Sequence, residues 1–104
     1  MITDVPIPSG AARIAMPGRF DFTMNREFLK SYIPLLDDAA IREIEIELSA
    51  VEFLDSSTLD MLMLLKNRAT AANKSISLLN TSTLISRVLQ ITGMSWTFNI
   101  RHTL

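Results

Sequence analysis

A six-residue segment near the middle of the chain alternates strictly between glutamate and an aliphatic residue. In an extended strand, residues 43–48 place three aliphatic side chains on one face and three glutamates on the other. Strands of a doubly wound sheet are covered on both faces and have continuous apolar sequences, so the alternation argues against that fold. We expect a sheet with one face in water and helices packed mainly on the other.

The segments that follow alternate between helical and extended patterns. We predict helices over residues 58–73 and 84–91, the second closed by Gly93, and strands over residues 75–79 and 96–100. A strand-helix-strand unit favours a parallel, right-handed connection. The predicted fold class is therefore α/β, a single-domain mixed, mostly parallel sheet beside a hairpin-like N-terminal segment.

The N-terminal segment is predicted to contain short strands and one helix. Pro17 and Gly18 predict a turn after residues 13–16. Apolar residues at helical spacing predict a helix over residues 24–36, with Thr23 as its N-cap. Pro34 should kink this helix or end it.

Length and composition indicate one domain over residues 1–104 in the cytoplasm. The chain has no cysteine, which excludes disulfides and thiolate metal sites and suits a reducing compartment. A net charge of −1 gives no basic footprint for nucleic acid. The longest apolar run is far below the roughly 18 residues that a membrane span needs, and the N-terminus lacks a signal-peptide pattern. We expect no nucleic-acid partner and no membrane span.

Catalytic motifs are poorly represented. The only histidine, His102, lies near the C-terminus and is interpreted as a solvated residue rather than a general base. The alternating glutamates are interpreted as a solvated face. The three glycines form no phosphate-binding loop. We expect no enzymatic activity, no cofactor and no metal site.

Residues 51–59 read as a buried strand that ends at Asp55 and opens directly into a helix. A phosphoserine at such a helix N-terminus gains hydrogen bonds and a favourable field, which makes Ser56 or Ser57 a candidate switch. A structural interpretation is also open: either serine could cap the helix, and Ser57 with Asp60 fits a capping box. Asp55 could likewise serve only to bind backbone N–H groups.

The helix after this turn begins with the apolar run 61–65, whose side chains surround the whole helix. One interpretation is burial between the sheet and a neighbouring helix. The other is a partly exposed strip that binds another protein. A phosphate beside such a strip would repel a complementary partner.

Four segments together resemble the STAS domain, the family of bacterial anti-sigma factor antagonists. Residues 17–21 resemble its early glycine and aspartate motif, and residues 44–59 its central strand and Asp-Ser-Ser turn. Residues 79–82 and 89–93 resemble its later strand and closing helix. The likeness covers nearly the whole sequence, with the segments in the family's order and spacing.

The resemblance implies a partner-switching mechanism. The unphosphorylated antagonist would bind an anti-sigma factor with serine kinase activity and so free a sigma factor. Phosphorylation by that kinase would end the binding, and a serine/threonine phosphatase of the metal-dependent type would reverse it. ATP and metal would then belong to the partners. The family's acceptor, the hydroxyl after the aspartate, falls on Ser56.

The resemblance also implies a partner-binding surface around this acceptor. Its residues would be Asp21, Asp55, Ser57, Thr58, Asp60 and Met61. Thr58 and Asp60 stand where many family members have glycine, which implies a different partner surface. Asp60, one helical turn beyond Ser56, would repel a phosphate there.

Two alternative functions stay open at this point. In the first, the chain is a non-phosphorylated STAS subunit or scaffold in a bacterial transport or signalling complex, and its serines serve only as caps. In the second, which has least support, it is a small nucleotide-binding or hydrolysing protein.

Overall fold

A computed structural model describes residues 2–7 and 10–103 of the chain. This part contains two kinds of element, strands and α-helices, together with two short 3-10 turns. The strands are β1 (Thr3–Ile7), β2 (Ala11–Ala15), β3 (Arg19–Phe20), β4 (Glu43–Glu47), β5 (Phe53–Leu54), β6 (Ser75–Leu79) and β7 (Asn99–Arg101). The helices are α1 (Asn25–Leu36), α2 (Ser56–Ala71) and α3 (Thr83–Ile91).

Five strands form one sheet in the order β1-β2-β4-β6-β7. β1 and β2 pair antiparallel as a hairpin, and the remaining neighbours pair in parallel. At the centre, Ile46 of β4 lies opposite Ile14 and Leu78. β3 and β5 form a separate two-stranded parallel sheet. The predicted fold class, a mixed and mostly parallel sheet with an N-terminal hairpin, is confirmed.

One hydrophobic core joins the sheet to all three helices. The aliphatic face of β4 contributes Ile44 and Ile46, both fully buried. The helical residues buried in the same cluster are Phe28 and Tyr32 from α1, Met61, Leu62, Leu65 and Ala69 from α2, and Ile85 and Leu89 from α3. The alternating pattern thus predicted correctly which face of β4 the helices cover.

The glutamate face of β4 is less exposed than the sequence predicts. Glu45 is only 7% exposed and pairs with Arg13 of β2 at 3.0 Å and Arg101 of β7 at 2.7 Å. Glu43 accepts a hydrogen bond from the Ser77 hydroxyl at 2.6 Å. The expectation of a fully solvated face is therefore wrong for Glu45, because arginines from two other strands cover it.

The start of α1 differs from the prediction. Residues Phe22–Met24 form a 3-10 turn, and its N-cap is Asp21, whose carboxylate accepts from the Thr23 backbone N–H at 3.0 Å. Thr23 is therefore not the N-cap. α1 continues through Pro34, which lies in its last turn, where a missing N–H removes only one hydrogen bond near the helix end.

The C-terminal segment also differs in one boundary. Gly93 ends the α3 region with φ = 77°, as predicted. A 3-10 turn follows at Met94–Trp96, so β7 begins at Asn99 rather than at Trp96. Among the described residues, none of the helices combines the length and apolar character needed to cross a membrane.

The ion pairs of Glu45 should contribute measurably to stability. Glu45→Ala leaves two arginines without their shared carboxylate, so we expect the free energy of unfolding to fall by about 1–3 kcal/mol. Glu52→Ala, at an exposed position, is the control and should change it by less than about 0.5 kcal/mol. Urea unfolding measures both. Equal effects of the two substitutions would contradict the role of the buried carboxylate.

Candidate functional site

The two-stranded sheet brings two distant turns together. β3 and β5 pair in parallel, with Phe20 opposite Leu54. Asp21 and Asp55 follow these residues directly, so the two aspartates leave the sheet side by side at its carboxyl edge. The structure thus places Asp21 beside the turn that precedes α2, with its side chain buried and the residue only 6% exposed.

An aromatic cluster fixes this edge to α1. The Phe20 ring is fully buried and meets Phe28 edge-to-face at 5.2 Å between ring centroids. Phe28 in turn meets Tyr32 at 5.1 Å. Edge-to-face pairs of this kind add about 0.5–1.5 kcal/mol beyond burial. The end of β3 is therefore held rigidly against the core.

Asp55 is the N-cap of α2. Its backbone is extended, and its Oδ1 accepts a hydrogen bond from the Thr58 N–H at 2.9 Å. α2 begins at Ser56, two residues before the predicted start. The interpretation that Ser56 or Ser57 caps the helix is therefore wrong, because the aspartate before them does so.

Thr58 joins the helix to β3. Its hydroxyl donates to the Phe20 carbonyl at 2.6 Å and also lies 3.0 Å from Asp55 Oδ1. Because a hydroxyl has one hydrogen, the shorter contact defines the bond. The side chain is completely buried. This hydrogen bond fixes the first turn of α2 to Phe20, the residue before Asp21.

The expectation that Thr58 and Met61 line a partner-facing surface is not met by this structure. Thr58 is fully buried and Met61 is 8% exposed. Residues three or four apart share one helix face, and both lie on the face of α2 that also buries Leu65 and Ala69. Thr58 and Met61 therefore lie beneath the exposed surface of α2.

The opposite face of α2 carries the accessible side chains. Ser56 and Asp60 are exposed and Ser57 is half-buried. Leu64 follows at the same helical spacing and is 42% exposed. Ser56 therefore lies in an exposed stripe along α2. Of the apolar run 61–65, Leu64 is the main residue in that stripe.

Asp21 is held as a carboxylate. Hydrogen bonds from the Thr23 hydroxyl, and then from Arg19, lower the pKa of Asp21, and burial opposes them only in part. Arg19 Nε donates to Asp21 Oδ2, whereas Thr23 bonds Oδ1. The two carboxylate oxygens thus have different partners.

Two aromatic residues at this site are exposed, contrary to or outside the sequence predictions: Phe53 lies in the strand that was expected to be buried, and Phe22 was not considered. Phe22 is 66% exposed and Phe53 is 46% exposed. The Arg19 guanidinium lies over the Phe53 ring, 5.3 Å from its centroid. The alternation of side chains along a strand could have identified Phe53. Because Phe20 points into the core, its neighbour Arg19 points outward, and Phe53, which lies opposite Arg19, points outward as well.

The surface around Ser56 is predominantly acidic. Its carboxylates are Asp55, which is half-buried, and Asp60, which is exposed. Asp21 follows the strand residue paired with Leu54 but is only 6% exposed, and it forms an ion pair with the exposed Arg19. Across residues 2–7 and 10–103, no group of three acidic or histidine side chains is placed to hold a metal ion. The arrangement is suited to binding through charge and exposed aromatic rings.

Comparison with known proteins decides the family. Residues 3–97 match the family model described as "Mlab, STAS domain". The chain belongs to the STAS domain family. It is similar to a STAS-domain containing protein of Pseudomonas aeruginosa (strain UCBPP-PA14), with 35% identity over 102 residues, 95% of this chain and 97% of that protein.

Solved STAS structures share the fold. An anti-sigma-factor antagonist (STAS) domain protein from Planctomyces limnophilus is 21% identical and superposes with a TM-score of 0.85, covering 99% of this chain and 91% of that one. The phosphorylated form of the Bacillus cell fate determinant SpoIIAA is 16% identical with a TM-score of 0.77, covering 100% of this chain and 92% of that one. The resemblance inferred from sequence is confirmed.

Removal of the N-cap carboxylate tests the assignment of Asp55. We expect Asp55→Ala to lower the free energy of unfolding by about 1 kcal/mol, because the Thr58 N–H loses its acceptor. Ser57→Ala is the matched control and should change it by less than about 0.5 kcal/mol. Both are measured by urea unfolding. A larger loss from Ser57→Ala than from Asp55→Ala would mean that the serine is the cap.

The lowered pKa of Asp21 makes its contribution to stability depend on pH. That contribution is complete above the unfolded-state pKa of about 3.9 and is lost as the pH falls through the lower folded-state value. The stability difference between wild type and Asp21→Asn should therefore shrink as the pH is lowered from about 6 to about 2. Unfolding measured at several pH values checks this. A difference that does not change with pH would contradict it.

Proposed function

We propose that this STAS domain is an anti-sigma factor antagonist whose binding is controlled by phosphorylation of Ser56. In its unphosphorylated form it binds an anti-sigma factor with serine kinase activity and releases a sigma factor. Phosphorylation by that partner ends the complex, and a serine/threonine phosphatase of the metal-dependent type restores it.

The position of Ser56 carries this proposal. Ser56 is the first residue of α2, is exposed, and does not cap the helix, since Asp55 performs that role. The Ser56 hydroxyl therefore makes no capping hydrogen bond that phosphorylation would disrupt. A modified residue can be introduced at this point while the fold is retained.

The comparisons supply a second line of support. SpoIIAA is an anti-sigma factor antagonist whose structure is known in an unphosphorylated and in a phosphorylated form. SpoIIAA matches the whole of this chain in fold. A phosphorylation switch is therefore compatible with a domain of this shape.

Charge explains how a phosphate would act. A phosphoserine adds about 1.5–2 negative charges at neutral pH. At Ser56 this charge would join Asp55 and Asp60 on a surface that also exposes Phe22 and Phe53. A partner that packs on the aromatic rings would have to desolvate the dianion, which is costly. The N-terminus of α2 stabilises the phosphate in the free domain. The desolvation cost therefore destabilises the complex and not the domain.

This proposal makes the chain a binding protein of the cytoplasm rather than an enzyme. The kinase would supply ATP and the phosphatase its own metal. The partner-binding surface would comprise Asp55, Ser57 and Asp60 together with the exposed phenylalanines, and the buried Asp21, Thr58 and Met61 would lie beneath it.

Two substitutions at the acceptor should have opposite effects on partner binding. Ser56→Ala should bind the anti-sigma factor with an affinity within about threefold of that of the unphosphorylated wild type. It should also stay bound when ATP is present. Ser56→Asp should weaken binding by about 100-fold, the effect of a like-charge contact worth about 3 kcal/mol. Isothermal titration with the purified anti-sigma factor measures both affinities.

Ser57→Ala is the control, because Ser57 lies beside the acceptor and has no capping bond. It should lose binding with ATP as wild type does. Tight binding by Ser56→Asp, or ATP sensitivity retained by Ser56→Ala, would contradict the proposal.

A second candidate function rests on a different surface. Trp96 is 92% exposed, Ile91 78% and Leu84 61%, all within or just after α3. Leu84 and Ile91 are seven residues apart in α3 and so share one helix face, and neighbouring exposed apolar side chains are typical of assembly surfaces. A STAS subunit or scaffold in a transport or signalling complex would use them, and its assembly would be indifferent to both substitutions of Ser56.

A further inference from the structure

Arg19 stands out as the basic residue of an acidic surface. No lysine or arginine occurs between Arg42 and Lys66, the stretch that includes β5 and the first half of α2. Arg19 reaches this region because β3 pairs with β5 and places it opposite Phe53. The proposed function leaves this residue without a role.

The contacts of Arg19 direct it towards the edge where Ser56 lies. Its Nε donates to Oδ2 of Asp21, the residue that leaves the sheet beside Asp55. Its Cζ lies 5.3 Å from the centre of the Phe53 ring, three residues before Ser56. The guanidinium is thus held between a carboxylate and an aromatic face at the carboxyl edge of the small sheet.

This guanidinium retains most of its capacity to bind an anion. An arginine has five N–H donors in a planar fork, and within the described part of the chain only the Nε donor of Arg19 has a hydrogen-bond acceptor. Its side chain is 77% exposed, so it can change rotamer without repacking the core. Both terminal nitrogens are available to a new acceptor.

Asp21 does not depend on Arg19 to remain satisfied. Its other oxygen accepts from both the N–H and the hydroxyl of Thr23. If Arg19 moved away, the 3-10 turn would keep its cap through Oδ1, and Oδ2 would lose its ion pair. Because Asp21 is only 6% exposed, this loss has a cost, which the stronger pairing of Arg19 with a phosphate dianion would have to offset.

We propose that Arg19 is the phosphate-binding residue of phosphorylated Ser56, a role that rests on the proposed function. A phosphate carries more charge than the Asp21 carboxylate and accepts two parallel hydrogen bonds from a guanidinium. On phosphorylation, Arg19 leaves Asp21 and Phe53 and binds the phosphoserine oxygens through its terminal nitrogens. The ligand is a phosphate monoester on the same chain.

The exchange would alter the surface that a partner meets. Phe53 would lose the cation stacked on it, and Asp21 would lose its ion pair. Phosphorylation would therefore change the charge at Ser56 and, at the same time, the contacts of Phe53 and Asp21. Arg19 would also stabilise the phosphorylated form of the free domain.

A titration of the phosphate itself tests this role. Phosphoserine is installed at position 56 during translation, and the second pKa of the phosphate is measured by ³¹P NMR in the full chain. Arg19 favours the dianion and should lower this pKa. Arg19→Gln should raise it by about 0.2–0.7 units, the range expected for an exposed ion pair.

Arg26→Gln is the matched control, since Arg26 is an exposed arginine in the first turn of α1. It should leave the phosphate pKa within about 0.1 unit of wild type, which is the small effect expected of a screened, unpaired charge. Arg19→Lys should fall between wild type and Arg19→Gln, because it keeps the charge without the fork. Circular dichroism checks that each variant is folded.

An unchanged phosphate pKa in Arg19→Gln, or a larger change in Arg26→Gln, would overturn the assignment. Because the phosphate is installed during translation, the test does not depend on a kinase. Failure of this test would leave partner switching at Ser56 intact. Failure of any partner to phosphorylate Ser56 would contradict the proposed function and not the chemistry of Arg19.

Discussion

The hydrogen bond from the Thr58 hydroxyl to the Phe20 carbonyl holds the candidate site together. It is buried, measures 2.6 Å, and joins residues 38 positions apart. Through it the first turn of α2 is fixed to β3, and the Phe20 ring fixes β3 to α1. Asp55 then caps a helix whose start is already positioned. An unmade buried hydrogen bond of this kind costs about 1–3 kcal/mol, so the geometry around Ser56 depends on it.

Residues that hold the helix start and residues that face outward lie next to one another around the beginning of α2. Asp55 and Thr58 maintain the helix start, whereas Ser56 and Asp60 face outward. Thr58 replaces a glycine that is common in the resembling family, yet its side chain points into the protein and cannot obstruct a partner directly. Thr58 therefore stabilises the start of α2, and of the two departures only Asp60 has an exposed side chain.

Local patterns predicted those features that local physics determines. The alternation over residues 43–48 gave the buried face of β4, and the aspartate turn gave the helix that begins at Ser56. Apart from element boundaries and caps, the main error concerns contacts between distant residues. Glu45 is covered by arginines 32 and 56 positions away, and spacing along a single strand contains no information about them. For the cap, the sequence left Asp55 and the two serines open, because aspartate and serine are equally good acceptors at this position. The structure selects Asp55.

The central claim is that Ser56 is an acceptor of phosphate from a protein kinase that the domain binds. Incubation of the intact chain with ATP and the anti-sigma factor kinases of its own cell, followed by intact-mass measurement and fragmentation, tests this most directly. The account predicts one added phosphate, located on Ser56, and none on Ser56→Ala. Phosphate on Ser57 or Thr58 would mean that the acceptor is misassigned. No phosphate from any kinase that binds the domain would contradict the switch and favour the scaffold function.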